Sequence, residues 1–103
     1  MTTEPKTDGT ATPAVTVVIS TYNRSDLLEP CVRSALEQET DGTAYEVIVV
    51  DNNSTDDTAG VVRRLMAVYP HLRYVFEGRQ GLSHARNAGI AAARAPVIAF
   101  TDD

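Results

Sequence analysis

Four short runs of the chain are apolar at nearly every position: VTVVIS (Val15 to Ser20), YEVIVVD (Tyr45 to Asp51), RYVFE (Arg73 to Glu77) and PVIAFTD (Pro96 to Asp102). Runs of this length, rich in β-branched and aromatic residues, suit strands covered on both faces. Three segments between them carry helical spacing. In the first, Leu27, Leu28, Cys31, Val32, Ala35 and Leu36 fall on one stripe. Pro30 brings no amide donor to that helix, so beyond the first turn it predicts a kink. The second segment is predicted to start at STDD, with Ser54 as its cap and Asp57 at the positive end. Its apolar face is Ala59, Val62, Leu65, Met66 and Tyr69, and Pro70 ends it. The third, GLSHARNAGIAAARA, has Ala and Gly on its inner side, which lets a helix lie close against a sheet.

Strand and helix alternating with short connections imply right-handed crossovers and an α/β fold, an open parallel sheet with helices on both faces. In such sheets ligands bind at the carboxyl ends of the strands, near the point where strand order reverses. Residues Met1 to Ala14 are rich in Thr, Pro and charge without apolar periodicity, and are expected to form a flexible leader. The domain is expected to run from Val15 to Asp103.

Composition narrows the function classes. With 103 residues, 43% hydrophobic and 22% charged, the chain can build one modest core. The net charge of −5, from 14 acidic and 9 basic residues, gives no general attraction to nucleic acid or to an anionic membrane. An anionic ligand must therefore be held by local groups. The single cysteine, Cys31, cannot form an internal disulfide and has the setting of a small core hydrophobe. No run approaches the ~20 apolar residues of a membrane span, and the cytoplasm is the expected location.

The candidate chemistry lies where the strands end. The first strand leads into STYNRSD, which has no glycine and so lacks both the dinucleotide-binding turn and the phosphate loop. It supplies hydroxyls at Ser20 and Thr21, a ring face at Tyr22 and a cation at Arg24. Tyr22 offers a platform on which a base can stack; equally it can pack over the sheet edge, with Asn23 or Ser25 capping the helix. Asp51 follows four apolar residues and is expected at the rim, either reading a base or ribose or holding the next turn. A calcium loop at Asp51, Asn53 and Thr55 fails, because Asp56 and Val62 stand where the glycine and distal glutamate are needed. The start of the third helix offers amides to an anion, and Arg86 can add its fork to a phosphate. Asp102 and Asp103 repel one another unless a divalent cation relieves them, although a lone acidic pair is also an ordinary turn.

Taken in order, VTVVISTYNRSDLL, YEVIVVDNNSTDDT and GLSHARNAGIAAARAPVIAFTDD resemble the N-terminal nucleotide-binding half of a family 2 glycosyltransferase, over Val15 to Asp103. The resemblance implies the Rossmann-like GT-A fold and inverting transfer of sugar from a nucleoside-diphosphate donor, commonly a UDP-sugar, to an acceptor hydroxyl. It implies that Ser20, Thr21 and Tyr22 cradle the base, that Asp51 reads it, and that Arg86 lies near the nucleotide. Asp102 would touch the ribose and, with Asp103, hold Mg or Mn. The acceptor site and general base that similar enzymes place beyond this motif have no counterpart in 103 residues. The chain is thus expected to be the donor half, truncated after the fourth strand and inactive alone, with a non-catalytic nucleotide-binding or assembly module as the alternative. A nucleotidyltransferase or a Rossmann oxidoreductase would need the glycine-rich loop that STYNRSD lacks. A sheet ending at its fourth strand leaves an open edge, which predicts self-association of the isolated chain. Sedimentation showing a monomer with one sharp unfolding transition would refute that.

Overall fold

The computed structural model describes residues 12–102 and, at Asp102, the backbone alone. Most of the predicted leader, and Asp103, lie outside those residues. Each apolar run is a strand and each amphipathic segment a helix, in the order β1 (Val15–Thr21), α1 (Ser25–Leu36), β2 (Tyr45–Asp51), α2 (Thr58–Met66), β3 (Leu72–Phe76), α3 (Leu82–Ala92) and β4 (Val97–Asp102). The four strands form one parallel sheet, ordered β3-β2-β1-β4. This is the expected Rossmann-like α/β architecture.

A parallel neighbour cannot be reached by a hairpin, so every helix is a crossover. The crossovers through α1 and α2 step outward from β1 to β2 to β3. The third returns across the sheet to place β4 on the far side of β1. Reversing the step while keeping the right-handed sense puts α3 on the opposite face. The period of two along the strands then divides the core. Ile19, Val47 and Val49 pack with Leu28, Val32 and Leu36 of α1 and with Val61, Val62 and Leu65 of α2. Val18, Ile48 and Val50 point the other way, to Ala85 of α3.

Several expectations shift by a residue or a turn. The α1 stripe is narrower than its sequence implied: Leu28, Val32 and Leu36 are buried, whereas Leu27 is exposed. Pro30 lies in the interior of α1, which continues as one helix to Leu36. On α2 the covered residues are Thr58, Val61, Val62 and Leu65, and Met66 faces solvent. Ahead of β1, Pro13 is buried and the Ala14 amide donates to the Ala44 carbonyl at 2.9 Å, so ordered packing begins before Val15.

At the amino ends of the strands a buried polar knot fastens α3 to the sheet. Glu46, 5% exposed, accepts from the Thr16 hydroxyl at 2.7 Å, from Arg73 at 2.8 Å and from the Arg94 amide at 2.8 Å. Burial pushes the Glu46 carboxyl upward, but these donors outweigh it and hold it below its ordinary value. Arg73 also donates to the Ala92 carbonyl at the end of α3, at 2.8 Å. Buried charge is thus paired and its lone pairs are used, as burial requires.

The Ala and Gly lining of α3 has the predicted consequence. A Cβ placed on Gly89 would stand 2.5 Å from Val18 Cγ1. Val18 is fully buried and β-branched, so it has no room to turn away. Gly89→Ala should therefore destabilise the fold by about 1–3 kcal/mol of overpacking, against the ~1 kcal/mol that helix propensity alone would gain. Urea titration measures the net sign, and a stabilised variant would show that α3 does not lie this close.

Candidate functional site

Strand order reverses between β1 and β4, and the carboxyl ends of these two strands flank the crevice that the reversal opens. An open cavity of about 490 Å³ lies there, lined by Ser20, Thr21, Tyr22, Arg24, Asn52, Leu82 and Ala85. The register places Asp102 opposite Ser20, so β4 delivers its terminal acid to the same edge. Ser20, Thr21 and Tyr22 are thus brought together as the sequence predicted, with the Tyr22 ring half exposed. The predicted acidic partner Asp103 falls outside the described residues.

Two predicted residues stand elsewhere. Asp51 is not at an open rim: it is 2% exposed and shares its parity with Val49 and Val47, on the α2 side of the sheet. Its Oδ1 accepts from the Ser54 amide at 2.9 Å and its Oδ2 from the Tyr74 hydroxyl at 2.7 Å. Burial and the Asp51 carboxylate together push the Tyr74 phenol up to about 12, so it remains a donor at neutral pH. The turn-holding role open to Asp51 is the one its bonds perform. Arg86 is not among the cavity-lining residues; its guanidinium lies 5.4 Å from the Phe100 ring centroid on β4.

The loop after β1 keeps its shape without glycine. Asn23 takes a positive φ of 51°, which asparagine tolerates better than most residues. Its amide donates to Ser54 Oγ at 2.9 Å, and its Oδ1 accepts from the Thr55 amide at 2.7 Å. The Ser25 amide, at the start of α1, donates to Asp56 Oδ2 at 3.0 Å. Ser54 is therefore not the cap of α2. It belongs to a clasp that joins the loop after β1 to the loop after β2, and α2 starts four residues later, where Asp56 Oδ1 accepts from the Thr58 amide at 3.1 Å. Across the cavity, Arg79 bonded to Glu77 through its guanidinium and its amide holds the Glu77 carboxyl at about 2.

Sequence reasoning missed Asn52. It is 7% exposed and lies on the cavity side. The parity of β2 carried the signal: if Asp51 turns toward α2, the next residue turns toward α3.

Among the described residues no His, Cys, Asp and Glu gather in a group of three or more that could hold a metal ion. No helix among them is long and apolar enough to cross a membrane.

Residues 16–103 match the family model described as Glycosyl transferase family 2. The chain is 35% identical over 91 residues to Glycosyltransferase AglE of Haloferax volcanii, covering 87% of this chain and 30% of that protein. Among solved structures it resembles the mannosyltransferase PcManGT from Pyrobaculum calidifontis in complex with GDP-Man and Mn2+, with a TM-score of 0.76 and 37% identity, covering 92% of this chain and 28% of that one. It also resembles S. aureus TarS 1-349 in complex with UDP-GlcNAc, with a TM-score of 0.73 and 26% identity, covering 86% of this chain and 26% of that one. The chain thus spans less than a third of the length of each.

The clasp has a pH signature. The Thr58 hydroxyl, opposed by a smaller effect of burial and helped by Ser25, pulls the Asp56 carboxyl from 3.8 to about 2. A carboxyl lowered by folding adds stability that is full above about 3.8 and is lost as pH falls through about 2. Asp56→Asn should flatten the acid limb of the stability profile between those values. A wild-type Asp56 resonance titrating at its ordinary value in NMR would show the clasp to be open in solution.

Proposed function

The chain belongs to glycosyl transferase family 2, and on that premise we propose that it binds the nucleoside-diphosphate sugar from which a whole protein of this family transfers sugar to an acceptor. One observation carries the reading. The reversal of strand order sets Ser20, Thr21 and Tyr22 around one open cavity, and the register pairs Ser20 with Asp102 at the end of β4. Tyr22 stacks on the base, and Ser20 and Thr21 meet its edge through hydroxyl and backbone groups. Asp51 contributes by fixing the turn at Ser54, and Arg86, one turn into α3, reaches toward the diphosphate. A UDP-sugar is the first donor to test, with a GDP-sugar second, since solved relatives hold one or the other.

Asp102 and Asp103 would hold a divalent cation, Mg or Mn. Their oxygen donors suit a hard cation that keeps open positions for phosphate, and a relative was solved with Mn2+. Bound there, the cation would neutralise charge on the departing diphosphate as a Lewis acid. The acceptor hydroxyl, attacking from the opposite face with inversion, also needs a general base. No residue of this chain is proposed for that role, and none for the acceptor site. The chain alone is accordingly proposed to bind donor without turning it over. A cytoplasmic location belongs to the same proposal and suits a chain whose one cysteine has no second with which to form an internal disulfide.

Calorimetry with UDP, with and without Mn2+, tests the reading on the full chain. Binding should require the metal, and Asp103→Ala should abolish that requirement together with most of the affinity. Tyr22→Ala should weaken binding by about 1–3 kcal/mol, the range for loss of one stacked base. Absence of binding by UDP and GDP alike would sink the proposal, and metal-independent binding would sink the assignment of Asp102 and Asp103.

A further inference from the structure

Asn52, itself a cavity-lining residue, joins three segments at once. Its backbone amide donates to the Thr21 carbonyl at the end of β1, at 2.9 Å. Its side-chain Nδ2 donates to the Glu77 carbonyl at 3.2 Å and to the Arg79 carbonyl at 2.8 Å, both in the turn that follows β3. Its Oδ1 accepts from the Gly81 amide at 2.9 Å. These partners fix the orientation of the carboxamide, because two carbonyls demand the NH2 group and an amide hydrogen demands the oxygen.

Gly81 is the residue through which this matters. Its φ of 137° lies in the region favouring glycine. Its carbonyl accepts the helical bond from the Ala85 amide at 3.1 Å. The chain thus reverses and enters α3 at a point anchored to Asn52, and α3 supplies the opposite wall of the cavity through Leu82 and Ala85. The turn is also joined to β2 through the Glu77 amide, which donates to the Asp51 carbonyl at 2.9 Å. Its other side-chain anchors are between Glu77 and Arg79, within the turn itself.

We propose that Asn52 is a positioning residue: its carboxamide sets the distance between the β1 loop and the start of α3, and thereby the affinity of the cavity for a nucleoside diphosphate. The affinity half rests on the nucleotide-binding reading above; the positioning half does not. The chemistry is specific to a carboxamide. A carboxylate in its place is isosteric and keeps an acceptor for Gly81, but it has no hydrogen for the Glu77 and Arg79 carbonyls and would set negative charge against both.

The test uses the full chain with three variants: Asn52→Ala, Asn52→Asp and, as a control for stability alone, Val62→Ala in the core on the other face of the sheet. Amide exchange at Gly81, read by NMR, decides the positioning role. Exchange at least about tenfold faster in Asn52→Ala and not in Val62→Ala is expected, from the loss of the acceptor for the Gly81 amide. Protection of Gly81 retained in Asn52→Ala overturns the inference. Titration with UDP and with GDP in the presence of Mn2+ decides the affinity half: both ligands should weaken by a similar factor, about tenfold, in both variants. An Asn52→Asp variant that keeps Gly81 protected while changing the preference between UDP and GDP also overturns the inference, because the side chain would then act on the base directly. Wild-type chain that binds neither nucleotide refutes the functional reading and the affinity half, while the Gly81 exchange rates still decide the positioning half.

Discussion

Parallel strands must be joined by crossovers of one hand, and the site follows from the single place where the crossovers change direction. Had α3 led on past β3, each strand would have had its predecessor on the same side, all three helices would lie on one face, and β4 would stand at the edge farthest from β1. Because the chain returns instead to the free side of β1, the loop after β1 leads to α1 on one face while the turn after β3 leads to α3 on the other. The crevice between them is opened by the topology, and side chains adjust its edges. The apolar runs that make up the sheet are thus indirectly responsible for the polar residues that line its edge.

An open crevice has a cost in unsatisfied backbone, and the loops meet it with side chains. Glycine-rich turns bring their own amides to a ligand and need few supports. Here the loop after β1 has none, so its geometry is borrowed from the next loop along. Asn23 and Ser25 are paired to Ser54, Thr55 and Asp56, 31 or 32 residues on. Asn52 does the same for the turn before α3, across 25 to 29 residues. Each of these bonds lies between segments that the sheet has already brought close. The loops therefore depend on the core for their shape, and the core does not depend on them.

That order of dependence explains what was legible in the sequence. The strands could be read because burial on both faces leaves a run apolar at each position, and α3 because close approach leaves Ala and Gly. The site segments could be placed because they follow strands. Roles within the segments were harder. Ser54 looks like a cap by every local criterion, a hydroxyl with an acid three residues on, and the competing partner, the Asn23 amide, is local only in space. Asp51 looks like a rim residue because it ends an apolar run; the Tyr74 hydroxyl that covers it arrives through the β2–β3 register, in which Val49 stands opposite Tyr74. Arg86 could be placed one turn into α3, but the Phe100 ring near its guanidinium arrives on β4, 14 residues on.

The two ends of the sheet divide the work in a way that follows from where charge can be neutralised internally. At the amino ends, Glu46 and Arg73 face one another under α3, and every partner they need is supplied by the frame itself: the Thr16 hydroxyl, the Arg94 amide and the Ala92 carbonyl. Such a knot has its charges paired within the frame. At the carboxyl ends the balance differs. Asp51 is satisfied by Ser54 and Tyr74, but it faces the closed side of the sheet, whereas Ser20, on the α3 side, stands opposite Asp102 with the cavity before it. At its far end α3 is tied down by the bond from Arg73 to the Ala92 carbonyl, and at its start the Gly81 amide is held by Asn52 while Ala85 packs with Val18, Ile48 and Val50.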